Sequence, residues 1–385
     1  MGVRRSVYAA GALALVALVT ACVPPPSGAA PRQDPLTLGR NDQLGNANAQ
    51  SAAVSADGRW VAFVSSADNL VPGDDNDEDD LFLRDRRTGS VTRVREGGRQ
   101  PTISTNGRYV GYRASGLVMG VHDRSNGTTT EWTSTLSNGR TPVVAPDGSA
   151  AIYGAYSSFG IFATGCRVRD LVTGTESDCP AGGPGFGTTA FEAVSPSARY
   201  VLYFWNDQSG DGTSARLLWD RGQGTTTVIE QQILALGSTT SISDDGRHVS
   251  AVDVREGSGL VPVVHDLVAG TTTAFPVDPG SGTMTAPADI SADGSTVLVF
   301  SDSAELVDDD TNDAVDAFRW DHGAGTLERV SSTSSGEQLE LGALNCGPSP
   351  GQLLADGAAG CILALGAIVP YDTNERVDAY LVGAQ

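Results

Sequence analysis

A short unit, Asp-x-x-x-Gly, recurs six times along the chain, each time after a short apolar run. The copies are Asp85–Gly89, Asp123–Gly127, Asp170–Gly174, Asp220–Gly224, Asp266–Gly270 and Asp321–Gly325. About 27 residues upstream of each, or fewer in the shortest unit, lies a second marker of the Ser/Pro-x-Asp-Gly kind. It sits at Asp57-Gly58, Asn106-Gly107, Asp147-Gly148, Asp245-Gly246, Asp293-Gly294 and Asp356-Gly357, with a degenerate copy at Ser197-Ala198. A period of roughly 40–50 residues leaves few folds open, because each copy must be one supersecondary unit that buries its face against the next.

Residues 51–95 show what one unit is. Ser51–Ser55 reads as a strand, and Ala56-Asp57-Gly58 as a tight turn that uses glycine's tolerance of positive φ. Arg59–Ser65 alternates, with Val61 and Phe63 on one face, and the pair recurs as Val110/Tyr112, Ala151/Tyr153, Val201/Tyr203, Val249/Ala251 and Val297/Val299. That period of two predicts a strand with one buried face. A polar loop, a third strand at Leu81–Arg84, the Asp85–Gly89 turn and a fourth strand at Ser90–Val94 complete the unit. In the last copy Asp378–Val382 matches the third strand, and the sequence stops at Gln385 without a fourth. Pro35–Gly39, ahead of the first repeat, is expected to supply that strand and remove the open edge. The chain is therefore predicted to be all-β: a seven-bladed β-propeller of four-stranded antiparallel blades, closed by an N-terminal strand, over 35–385.

The segments Ser55–Phe63, Asp80–Asp85 and Thr88-Gly89 resemble the TolB-type, WD-like propeller repeat of bacteria, from roughly residue 37 onward. The resemblance implies an extracytoplasmic propeller that binds envelope protein partners.

Residues 1–21 read as a signal peptide, with Arg4 and Arg5 ahead of the apolar run Val7–Val19, too short to span a bilayer comfortably. The run ends Val19-Thr20-Ala21-Cys22, which resembles a bacterial lipobox. Cys22 is the expected lipidation site, and 22–34 a Pro/Ser/Ala-rich tether to a membrane surface. Cys166 and Cys179 flank the Asp170–Gly174 turn, and Cys346 and Cys361 bracket the first turn of the last unit. Four cysteines allow three pairings, proximity favours these two, and an exported chain meets an oxidising compartment. The net charge is −21 and lysine is absent. So acidic a domain repels nucleic acid and anionic head groups, leaving the anchor as the only expected membrane contact, and Schiff-base chemistry is excluded. A lipid-anchored monomer on the outer face of the cytoplasmic membrane, or in an equivalent of the periplasm, is expected.

One polar pattern recurs ahead of the third strand: Asp-x-Asn-x-x-x-Asp, as Asp74/Asn76/Asp80, Asp310/Asn312/Asp316 and Asp372/Asn374/Asp378. Oxygen ligands at this spacing can wrap Ca²⁺. The same residues are the usual stock of Asx-turns, so a structural role is the competing expectation and no cofactor is required. Asp207–Gly212 resembles the start of a calcium loop but lacks an acidic closing ligand. No nucleophile elbow, His-Glu-x-x-His or P-loop occurs, and the four histidines fall in different repeats, three of them beside a turn aspartate. No catalytic residue is assigned. The sequence reading is thus a surface-tethered propeller that binds a protein or peptide, the alternative being a hydrolase or lyase acting on an envelope polymer through the channel. A cluster of Asp, His and Arg converging in the channel would favour the enzyme.

Overall fold

The computed structural model describes residues 32–134, 140–154, 165–180, 187–207, 214–229, 240–255, 259–276, 285–340, 342–347, 350–364 and 366–383. They form seven four-stranded antiparallel sheets, six of them in simple sequence order. Blade 1 comprises Ala49–Val54, Trp60–Ser65, Asp80–Asp85 and Ser90–Glu96. Blade 7 comprises Ala343–Asn345, Ala359–Ala364 and Asp378–Gly383, and its outer strand is Arg32–Pro35 from the other end of the chain.

The ring therefore closes with an N-terminal strand, but three residues earlier than the sequence suggests. Arg32, Gln33, Asp34 and Pro35 pair with Gly383, Val382, Leu381 and Tyr380. Residues 32–34, read above as tether, belong to the sheet, and of 35–39 only Pro35 is in the ladder. Proline ends it because it has no N–H for a further ladder bond. Beyond it, the Leu36 amide still donates to Ala379 O, and Thr37 replaces the backbone by accepting the Ala379 N–H on Oγ1. Leu36 and Leu38 then turn into the core.

Within a blade, burial falls from the second and third strands to the fourth. Val61, Phe63, Val110, Tyr112, Val201, Tyr203, Val297 and Val299 are fully buried, but so are Ala62, Val64, Leu202 and Leu298 between them. The expectation of one buried face was too narrow: a blade is covered by a neighbour on each side, so both columns of the middle strands are interior. Fourth strands such as Thr128–Thr133 and Thr225–Ile229 are largely exposed. Threonine supplies β-branching there without apolar surface. Topology fixes two ends. Turns between strands one and two, and between three and four, share one end (the turn end); loops between strands two and three share the other (the loop end).

Candidate functional site

The recurrent turn residues are joined to one another at the turn end. Ser55 Oγ donates to Asp57 at 2.6 Å and accepts the Trp60 N–H at 3.0 Å. The same serine clasp holds Ser104/Tyr109, Ser195/Tyr200, Ser243/His248 and Ser291/Thr296. The residue after each Asp-Gly reaches the second turn: Arg59 is bidentate to Asp85 at 3.0 and 2.7 Å, as are Arg108 to Asp123, Arg199 to Asp220 and Arg247 to Asp266. These guanidinium bonds hold the Asp85 and Asp123 carboxyls down at about 2. Glycine is needed at the first turn for two reasons. Gly107 has φ +68°, and a Cβ there would lie 2.3 Å from Trp60 of the preceding blade. Tyr109 covers Gly148, Tyr200 covers Gly246 and His248 covers Gly294 in the same way.

First turns of successive blades are also bonded around the axis. Ala56 N–H donates to Thr105 O, Asn106 Nδ2 to Pro146 O, Ser197 N–H to Asp244, Asp244 N–H to Ala292 O, Asp293 N–H to Ala355 O, and Ala355 N–H to Ala56 O. The space they enclose, lined by Val54, Ile103, Pro196, Ile290 and Leu353 among others, is about 20 Å³, room for about one water. Asp289, buried beside it, accepts N–H bonds from Gly351, Gln352 and Leu353 at 3.0–3.3 Å and from Ile290 at 3.0 Å. Burial pulls the Arg140 guanidinium down to about 9, with Asp289 opposing the shift. Glu192 is bidentate to Arg216 at 2.8 and 2.6 Å. Among the described residues, these interior charges are engaged by the protein itself.

The three Asp-x-Asn-x-x-x-Asp loops lie at the loop end of blades 6, 7 and 1, which are consecutive in the ring. They share one geometry, since Asp77, Asp313 and Glu375, each just after the Asn, all have positive φ. In each, the two aspartates are held by a different group of the protein. Arg93 donates to Asp74 at 2.9 Å and Asp80 at 3.0 Å. Gln338 donates to Asp310 at 2.6 Å and Asp316 at 3.1 Å. In blade 7 Tyr380 donates to Asp372, while Thr37 and Asn374 donate to Asp378 at 2.8 and 2.9 Å.

The asparagines named above as candidate calcium ligands are placed as Asx-turn residues. Asn76 Oδ1 accepts the Glu78 N–H at 3.1 Å, Asn312 Oδ1 that of Ala314 at 3.0 Å, and Asn374 Oδ1 that of Arg376 at 2.9 Å. Their amide groups are engaged as well. Asn76 Nδ2 donates to Asp80 at 3.2 Å, Asn312 Nδ2 to Leu339 O at 2.6 Å, and Asn374 Nδ2 to Gly45 O at 2.9 Å. The sequence set Asp74, Asn76 and Asp80 side by side as donors to one cation, and likewise Asp310, Asn312 and Asp316, and Asp372, Asn374 and Asp378. The fold gives each of these nine side chains a hydrogen-bond partner within the protein. Burial raises the Asp316 carboxyl and pushes Asp378 up to about 6. Among the described residues, no group of three His, Cys, Asp or Glu side chains is arranged to hold a metal. Asp207 ends a strand, and the rest of its loop, 208–213, lies outside the described residues.

Cys166–Cys179 and Cys346–Cys361 are disulfides, with Cα atoms 5.3 and 5.8 Å apart. Cys22 lies outside the described residues. The histidines are structural: His122 and His265 bond Thr129 and Thr272 across a strand pair, His322 donates to Gly294 O, and His248 packs on Gly294. Burial lowers the pKa of His122, His248 and His265, so the imidazole is neutral.

One feature went unread in the sequence. A cleft of about 720 Å³ opens between the closing strand and blade 1, lined by Arg59, Arg84, Arg86, Arg87 and Tyr371 together with Asp34 and Asp42. Arg84 donates to Pro35 O at 3.2 Å and pairs with Asp42; Arg86 donates to Gly58 O and Asp34, both at 2.6 Å. The available signal was Arg84-Asp85-Arg86-Arg87, three arginines in four positions of a strongly acidic chain. It was hidden because the same residues carry the repeat's turn motif.

No protein-family model matches the chain, and no curated protein does. Among solved structures, an oligogalacturonate lyase from Vibrio parahaemolyticus superposes with a TM-score of 0.52 at 12% identity, over 92% of this chain and 97% of that one. A second, an oligogalacturonate lyase in complex with manganese, gives 0.50 at 14% identity over 93% and 98%. TolB from Acinetobacter baumannii gives 0.39 at 17% identity, covering 58% of this chain and about half (53%) of that protein. At these identities the likeness is one of fold, and the chain has the fold of a seven-bladed β-propeller.

Proposed function

We propose that this chain is an extracytoplasmic propeller, anchored through lipid on Cys22, whose task is binding and not turnover. The observation that carries the reading is the interior at the turn end: the space enclosed by the first turns holds about one water, and Asp289, Arg140, Glu192 and Arg216 are engaged by the protein itself. Disulfides in two blades agree with an exported chain. With the strands occupied in stacking, recognition falls to surface loops and clefts. Two of the similar structures are oligogalacturonate lyases, so the enzyme alternative has a concrete form. The mature chain incubated with acidic envelope polymers should generate no new chain ends, whereas sustained depolymerisation would overturn the binding reading. Cys22→Ser should move the protein from the membrane fraction to the soluble one.

Calcium at the three acidic loops competes with the clasps that occupy the same oxygens. A rise in melting temperature specific to Ca²⁺ over Mg²⁺, reduced in Asp310→Ala, would establish a metal role. Equal shifts with both ions would leave the clasps as the sole function of these residues.

A further inference from the structure

We infer that the cleft between the closing strand and blade 1 is a binding site for a carboxylate-bearing saccharide. The inference deepens the binding reading above by naming the ligand class. It rests on how the cleft's charges are already matched. Arg59 holds the carboxylate of Asp85, Arg84 that of Asp42 and Arg86 that of Asp34. Each of these three arginines is neutralised by a carboxylate of the chain. Arg87, the fourth, is exposed, and its backbone N–H bonds Asp85, but no described side chain pairs with its guanidinium. Arg87 is thus the lining arginine without a carboxylate partner among the described side chains, in a protein whose net charge is −21. A single ligand carboxylate would complete the set, in the planar two-bond geometry that a guanidinium favours.

Three further observations shape the rest of the ligand. Tyr371 is 59% exposed on the cleft wall, which offers a ring face to a flat, weakly polar body such as a pyranose. Asp34 and Asp42 keep part of their surface exposed, with side-chain accessibilities of 34% and 66%. An exposed carboxylate oxygen accepts hydroxyl donors, which a saccharide supplies in number. The volume, about 720 Å³, is that of a small-molecule site. Backbone strain marks the same wall, since Asn41 and Asp42 are consecutive non-glycine residues with φ of +60° and +57°. Such outliers persist where surrounding structure imposes them.

The test is calorimetric titration of the intact mature protein with an oligogalacturonate, with the same oligosaccharide after carboxyl reduction, and with a polyglutamate of matched charge. Saturable binding of the first alone, weakened about tenfold or more by Arg87→Glu and less by Tyr371→Ala, is the expected result. Arg87 is exposed, so unchanged melting temperature of the variant should confirm an intact fold. Absence of oligogalacturonate binding at millimolar concentration, binding that survives Arg87→Glu, or equal binding of polyglutamate would each overturn the inference. Depolymerisation of the ligand at the cleft would overturn the binding reading and leave the site. A neutral or peptide ligand bound elsewhere, unaffected by Arg87→Glu, would leave the binding reading and remove the site.

Discussion

The two ends of the propeller use their repeated residues differently. At the turn end one set of interactions is copied from blade to blade: the serine clasp in five blades, the Arg–Asp clamp in four, and the covered glycine between neighbours. At the loop end only blades 6, 7 and 1 share a motif. Each keeps the Asx-turn of Asn76, Asn312 or Asn374 but ties its aspartates to a different partner: Arg93, Gln338, or Tyr380 with Thr37. Invariance at one end therefore marks the mechanics of stacking. Variation at the other marks places where a common loop has been tied down locally. The arginine cleft lies at the seam, where the closing strand comes from a distant part of the chain and the copied pattern is broken.

The sharpest way to break this comparison is at the glycines. Gly107→Val should lower stability by about 3 kcal/mol or more, because it adds a left-handed β-branched residue and drives a methyl into Trp60. Gly127, in the other turn of the same blade, has φ +73° but open space around it, so Gly127→Asn should cost less than about 1 kcal/mol. Chemical denaturation of both variants decides the matter. If Gly107→Val matched Gly127→Asn, the contact between blades would carry no weight.

The disulfides sharpen the comparison next. Both lie in blades whose first turn lacks the clamping arginine, with Ser149 and Ala358 at its position. Replacing Cys166 and Cys179 by serine should remove about 3 kcal/mol in the chain-entropy account. Non-reducing peptide mapping of the native protein should recover both bridges. Asp85→Asn, which weakens one clamp, should destabilise less than loss of a disulfide, and high salt should shrink the cost of Asp85→Asn but not that of the disulfide.

The smallest effect expected is a pH dependence of opposite sign at the two ends. The arginine clamps depress Asp85 and Asp123, so their contribution is full above the ordinary aspartate range and is lost as pH falls toward about 2. Asp378, raised to about 6 chiefly by burial, works the other way: its contribution is full below the ordinary aspartate value and is lost as pH rises through about 6. Melting temperatures of the native chain and Asp378→Asn between about pH 4 and 7 measure it. The native protein should lose stability across that window relative to the variant, and parallel curves would refute the assignment.

The repeat, the number of blades and the two favoured cysteine pairs were legible in the sequence. Each depends on residues close together in the chain: a turn needs its Asp and Gly within a few positions, and each cysteine pair brackets a single turn. The sequence also pointed to closure of the ring from the N-terminus. It could not place that strand, because the register of Arg32–Pro35 is decided by Asp378–Gly383, at the opposite end of the chain. The acidic loops were legible as a pattern, and the Asx-turns of Asn76, Asn312 and Asn374 follow from residues two apart. The occupation of their aspartates by Arg93, Gln338, Tyr380 and Thr37 was not legible, since those donors arrive from other segments and, for Thr37, from the other terminus. The cleft was the least visible feature. Its arginines read as turn residues until closure set Asp34, Asp42 and Tyr371 against them, because charge becomes a site only where folding converges it.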